Sequence, residues 1–288
     1  SLSSQELPAN IGELLADALV QFKSETALIE VARKRETRRL SYLDVKRAAA
    51  PVIRFLAEAG VGPDDRVAIC MSNQARWLIA AYAIFQRGAV LVPLDYKLSA
   101  DEQAALVAHC GPKVLVTEHG LLRRFEALDG PTVLVSEAPA DARYAVAPTR
   151  WEALDADAEA PPPVARGRDD VATIVYSSGT GGVPKGCLLT HDAYLEQLRA
   201  LMARFPMRPG HRYFSILPTN HAIDFMVGFV GPFSCGATVI HQRTLRPELL
   251  QPTMQAYGVT HMALVPLLLE AFEEIGRASC RERVFPVV

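Results

Sequence analysis

Cysteine is scarce. Five residues (Cys70, Cys110, Cys187, Cys235 and Cys280) are scattered through 288, with no C-x-x-C pair. That spacing excludes a disulfide framework and a cysteine-clamped zinc module, and with them in mind we expect a reduced, cytoplasmic compartment. Neither charge is in excess: 30 Lys+Arg stand against 32 Asp+Glu, a formal net charge of -2. A nucleic-acid binder or a polybasic membrane-surface protein driven by bulk charge is therefore excluded. No apolar run reaches the roughly 18 residues of a transmembrane segment; WLIAAYAIF (Trp77 to Phe85) has the length of a buried helix. No secretory signal pattern is visible either. What the chain does have is apolar material. Half of it is hydrophobic, enough for a large core in one domain or two smaller ones.

Periodicity divides that material into alternating elements. Asn10 is placed to cap a helix over IGELLADALVQF, and ALIEV with RRLSY reads as a short hairpin. Ser41 or Tyr42 opens the next helix, which runs past Pro51 to Gly60. RVAICM, AVLVPLD, KVLVTE and PTVLVS then read as strands, with helices over 73–86 and 100–110 between them. From 137 to 169 the composition turns Ala-, Pro- and Asp-rich (APPPVARGRDD), the pattern of a surface connection. Alternation resumes with VATIVYSS, GCLLT, a helix from His191 to Phe205, YFSILP, a helix, ATVIH, a helix and THMALV. We expect an α/β fold: mostly parallel sheets with helices on both faces, in two similar subdomains, 1–168 and 169–273.

One loop concentrates chemistry. YSSGTGGVPKG (Tyr176 to Gly186) sets two serines, a threonine, glycines and Lys185 directly after an apolar strand. Glycines let successive backbone N–H groups converge on an anion, hydroxyls add donors, and a lysine supplies a point charge suited to phosphate. The nucleoside-triphosphatase pattern differs, since it needs Gly-Lys-Ser/Thr running into a helix. Here Pro184 precedes Lys185, Gly186 follows, and the next element is a strand.

This loop, followed by the LTH of Leu189 to His191, resembles the signature loop of the AMP-forming adenylation superfamily. That group includes acyl-CoA synthetases, luciferase-like enzymes and the adenylation domains of peptide synthetases. LSYLDV (Leu40 to Val45), FQRGAVLVPLD (Phe85 to Asp95) and LPTNH (Leu217 to His221) with its following CGATVIH resemble three further motifs in family order, so the likeness covers about residues 10–273.

The resemblance implies a chemistry and a set of roles. ATP and a carboxylic acid, with a fatty acid as the expected class, would give an acyl-adenylate and pyrophosphate, and CoA would then take the acyl group. Ser177, Ser178, Gly179, Thr180, Gly181, Gly182 and Lys185 would contact the ATP phosphates. Thr180 would help to hold magnesium, and His221 would be the gate beside the acyl group. Gly181 stands where the family usually has a second threonine, and the missing hydroxyl removes one donor worth on the order of 1–3 kcal/mol to a charged group. The apolar segment AIDFMVGFVGPF after His221 suits a hydrocarbon-lined channel or an ordinary core helix. Asp224 within it reads as structural or helix-initiating. Cys187 has no base nearby in sequence, His109 with Cys110 lacks a second pair of zinc ligands, and Trp77 reads as core.

The ends carry expectations of their own. The chain opens SLSSQEL without an initiating Met, and we expect coding sequence upstream. Glu274 to Val284 reads EIGRASCRERV, the in-frame translation of a common sequencing adapter, so 274–288 is set aside from fold reasoning. The family's adenine-binding Tyr-Gly-x-Thr/Ser-Glu segment, ribose-binding aspartate, hinge and catalytic lysine find no match. The expectation is that the chain as written is inactive and its parent is a ligase. Two alternatives stay open: a relative that passes its acyl group to a carrier protein, and a non-catalytic nucleotide-binding module.

Overall fold

The computed structural model describes residues 6–177, 183–270 and 272–273. Local rules explain where its elements begin. The Asn10 side chain accepts the Glu13 amide at 2.8 Å and starts α1 (Ile11–Gln21). Strands β1 (Thr26–Ala32) and β2 (Arg35–Ser41) form the expected hairpin. Ser41 and Asp44 then exchange side-chain and backbone bonds in a capping box that opens α2 (Tyr42–Glu58), with Pro51 inside the helix. Next come β3 (Arg66–Cys70), α3 (Ala75–Gln86), β4 (Val90–Pro93), α4 (Ala100–Cys110), β5 (Val114–Glu118), α5 (His119–Leu122) and β6 (Thr132–Ser136). A two-residue β7 (Thr149–Arg150) and a 3-10 turn (Trp151–Ala153) lie within the Pro-rich stretch. Then follow β8 (Val171–Ser177), β9 (Lys185–Thr190), α6 (His191–Arg204), β10 (Arg212–Ser215), α7 (Ala222–Phe225), a π-helical turn (Met226–Val230), α8 (Gly231–Cys235), β11 (Thr238–Gln242), α9 (Pro247–Tyr257) and β12 (His261–Met262). The last strand is shorter than THMALV suggests.

These strands build two mostly parallel sheets, as the α/β alternation implies. One has the order β7-β6-β5-β3-β4-β8-β9, the other β12-β10-β11-β1-β2. Each is parallel except for one antiparallel edge hairpin, β8–β9 in the first and β1–β2 in the second. The expected division at residue 168 does not separate them. Strands β8 and β9 complete the sheet begun by β3, whereas β1 and β2 join strands that follow residue 211. The Pro-rich stretch is a surface excursion within one sheet, and the chain passes between sheets twice, through α2 and through α6. Composition marks where the backbone is solvated; it does not say which strand edge the chain returns to.

Strand periodicity sets the layers. Val67 and Ile69 of β3 face a large core shared with α1, α2, α3, α6 and the 225–233 segment, while Ala68 and Cys70 face a second core with α4 and α5. In the other sheet Leu28 faces the shared core and Ile29 faces Leu250 of α9. The helices around Trp77, itself fully buried, are thus sandwiched between the sheets. An ion cluster also bridges them. Arg243, just past β11, pairs with Glu137 at 2.8 Å, just past β6, and Arg76 of α3 reaches Glu137 and Glu152. Glu137 holds a positive φ of 60°, a conformation unusual for a side-chain-bearing residue, at the centre of that cluster. No helix among the described residues is long and apolar enough to cross a membrane.

Candidate functional site

The glycine- and hydroxyl-rich segment closes the hairpin β8–β9. Ser177 stands opposite Lys185 and Tyr176 opposite Gly186, so both ends of the loop are fixed by strand pairing. No helix starts at Lys185; the chain continues as a strand until Thr190 caps α6 by accepting the Ala193 amide. Ser178, Gly179, Thr180, Gly181 and Gly182 lie outside the described residues. Gly186 is required by close approach: a Cβ there would sit 2.7 Å from Ile174 Cγ2 and 3.5 Å from the Tyr176 ring.

Tyr176 is anchored from the neighbouring layer. Its hydroxyl lies 2.7 Å from His109 Nδ1 of α4, with the rings edge to face at 5.5 Å between centroids. Burial raises the phenol above its ordinary range. His109 therefore holds an aromatic side chain at the root of the loop. A signal for this pair was absent from the sequence, where 67 residues separate the two.

Beside the loop lies a cavity of about 720 Å³, lined by Leu94, Leu98, Leu106, Tyr176, Pro184 and His221 among others. It opens at the carboxyl ends of β4 and β8, where ligands of open parallel sheets characteristically bind. Ser177 lines it too. His221 precedes α7, its side chain is 58% exposed, and its Nε2 is 3.9 Å from Asp95 Oδ2. The structure thus brings Ser177 and His221 to one cavity, with Lys185 paired to Ser177 at the loop's other end. Asp95, part of the FQRGAVLVPLD segment, was not singled out from the sequence.

The segment after His221 is core. Phe225, Phe229 and Phe233 stack along the buried side of α7, the π turn and α8, against Trp77, Phe85 and Tyr194. The hydrocarbon-channel reading of these aromatics does not hold, since they pack against other helices. Asp224 among them is structural: it is fully buried and accepts from three hydroxyls. Burial nonetheless pushes its carboxyl up to about 6. His191 of the LTH sequence is a second buried polar group, its Nδ1 accepting the Ile11 amide at 3.1 Å. Burial, then the charge of Arg166, lowers its ring to about 4. Among the described residues no group of three or more His, Cys, Asp or Glu side chains is placed to hold a metal ion.

The described geometry is thus an edge hairpin joined by a glycine- and hydroxyl-rich segment, on a two-sheet α/β scaffold with a cavity at the strand ends. The model of the family described as AMP-binding enzyme matches residues 15–283, and the chain belongs to that family. A 4-coumarate–CoA ligase-like protein of Oryza sativa is 31% identical over 258 residues, 85% of this chain and 46% of its own. A feruloyl-CoA synthase of Amycolatopsis is 29% identical over 232 residues, covering 81% and 45%. A nonribosomal peptide synthetase of Ceriporiopsis subvermispora is 29% identical over 232 residues, 78% of this chain and 9% of its own. The chain thus spans at most about half the length of these relatives. Among solved structures, an acyl-CoA synthetase of Brucella canis superposes with a TM-score of 0.79 at 21% identity, covering 94% of this chain and 50% of that one. The peptide synthetase FmoA3 with AMPPNP bound gives 0.76 at 25% identity, covering 96% and 27%.

Proposed function

We propose that the protein to which this chain belongs activates a carboxylic acid with ATP and passes the acyl group to the thiol of CoA. A carboxylate oxygen attacks the α-phosphorus, the bond to the bridging oxygen breaks, and pyrophosphate leaves. The thiolate then attacks the acyl carbon and AMP departs. The observation that carries this reading is the hairpin loop held between Ser177 and Lys185, beside a cavity lined by Ser177 and His221.

In this reading Ser177, Ser178, Gly179, Thr180, Gly181 and Gly182 donate to the β- and γ-phosphates, and Lys185 neutralises charge on the departing pyrophosphate. Magnesium would be held through Thr180 and the phosphates of ATP, shared with the glutamate of the Tyr-Gly-x-Thr/Ser-Glu segment that finds no match in this chain. Leu94, Leu98 and Leu106 favour a substrate with an apolar body, with fatty acids as the first class to test. In the same reading His221 changes position as the second substrate enters, a role its exposure beside Asp95 supports. A cytoplasmic location, where ATP and CoA are supplied, belongs to the same proposal.

The test is ATP–pyrophosphate exchange by the full-length protein with a panel of fatty and aryl-propenoic acids. Exchange dependent on one class is the expected result, and thioester formation with CoA should follow. Exchange without thioester formation points to a carrier-protein thiol, the acceptor suggested by the peptide-synthetase relatives. ATP binding with no exchange on any carboxylate would overturn the enzyme reading in favour of a nucleotide-binding module.

A further inference from the structure

Asn73, in the turn leading into α3, reaches a segment far away in sequence. Its Nδ2 donates to the Leu217 carbonyl at 2.7 Å and to Ser215 Oγ at 3.1 Å, and its Oδ1 accepts the Thr219 amide at 2.8 Å. One side-chain amide therefore pairs with residues 217–219 as a neighbouring strand would. Asn73 is 4% exposed, so each bond is made away from competing water.

Asp224 holds the same segment from the other side. Its carboxylate accepts from Tyr213 Oη at 2.9 Å, Ser215 Oγ at 2.9 Å and Thr219 Oγ1 at 3.1 Å. Gly228, in the π-helical turn, leaves the room: a Cβ there would lie 2.5 Å from Asp224 Oδ1. Thr219 is thus held twice, by its amide to Asn73 and by its hydroxyl to Asp224, two residues before His221. Among the described residues the His221 imidazole makes a 3.9 Å approach to Asp95, and its backbone amide, bonded to the Pro218 carbonyl, continues directly from the clamped segment.

We propose that Asn73 is a positioning residue: through Leu217 and Thr219 it fixes the 217–221 segment, and so the place of His221 at the cavity, with Asp224 as the second anchor. The catalytic consequence rests on the role given to His221 above. All of the Asn73 side-chain bonds among the described residues go to three residues of the strand and loop that deliver His221.

The experiment compares the full-length protein with its Asn73→Ala, Thr219→Val and Asn10→Ala variants. Asn10 is a buried asparagine with its own long-range bond, to the Arg166 carbonyl, and controls for lost stability alone. Site-resolved amide exchange should show Thr219 and His221 exchanging about tenfold faster or more in Asn73→Ala, with Val239 and Ile240 unchanged. In thioester formation with CoA, the step in which His221 is given its role, kcat should fall about 10- to 100-fold while KM for ATP holds, because a misplaced group costs rate more than nucleotide binding. Asn10→Ala should keep wild-type kinetics per folded molecule. Unchanged Thr219 protection, or an equal loss of kcat in Asn10→Ala, overturns the proposal. If Asn73→Ala does not fold, Thr219→Val, which drops only the Asp224 bond, decides: a smaller fall in kcat supports the clamp and unaltered kinetics refute it. A wild type that exchanges no pyrophosphate with any carboxylate would sink the functional reading instead, and amide exchange alone would then judge the clamp.

Discussion

His191 makes acid stability a sharp test of the packing between α1 and α6. Its Nδ1 accepts the Ile11 amide, so a lone pair must stand there, and the residue is 2% exposed. Its pKa lies at about 4 against an ordinary 6.5. At about 1.36 kcal/mol per pH unit, that interval corresponds to roughly 3 kcal/mol of stability that depends on the ring staying neutral. Below pH 6.5 the unfolded chain takes up a proton that the native ring refuses until about pH 4. Stability therefore falls as pH drops through that window, and this contribution levels off beneath it. His191→Asn sets an amide oxygen where Nδ1 sits and cannot titrate. Urea unfolding of both proteins at pH 8 and pH 4.5 should show wild type losing about 2.5 kcal/mol more than the variant. His241, also buried and held down to about 3, loses the same amount in both and cancels. Parallel losses would refute the argument, and would mean that the ring protonates in place or that Ile11 finds another acceptor.

Asp224 should respond with the opposite sign. Its folded pKa of about 6 lies above the ordinary 3.8, so wild type should lose about 3 kcal/mol relative to Asp224→Asn as pH rises from 3.5 to 7, measured by the same unfolding curves. Gly228→Ala should destabilise by about 1–3 kcal/mol in thermal unfolding, because the clash with the Asp224 carboxylate outweighs the gain of about 1 kcal/mol in helix propensity. Lys185→Met, at an exposed strand end, should leave the melting temperature unchanged and lower ATP–pyrophosphate exchange about 10- to 100-fold. Tyr176→Phe frees His109 Nδ1 and should cost about 1 kcal/mol in urea unfolding.

Much of this fold was legible in local chemistry. Asn10 and Ser41 announced two helix starts, alternation gave the strands, and the Pro-Lys-Gly ending with the strand after it placed the loop in a hairpin instead of before a helix. Sheet membership was not legible. A period of two tells which residues share a face, but the edge a strand pairs with is fixed by contacts between residues more than a hundred positions apart, such as Leu28 with Val239. The aromatic run from Phe225 to Phe233 carried a helical pattern equally suited to a channel and to a core, and only the helices packed on it decide. Asn73 and His109 matter for what they touch across the molecule, and residue type alone conveys nothing of that.

The β8–β9 pairing has an evolutionary consequence. Ser177 and Lys185 pair across the two strands, so β8 and β9 stay in register up to the segment that joins them. A residue gained within β9 itself is not absorbed by that pairing. It would shift the register by one, carry Gly186 away from Tyr176, and force a side chain into space that only hydrogen can occupy. The pairing thus holds the length of β9 fixed, whatever residues fill its exposed positions.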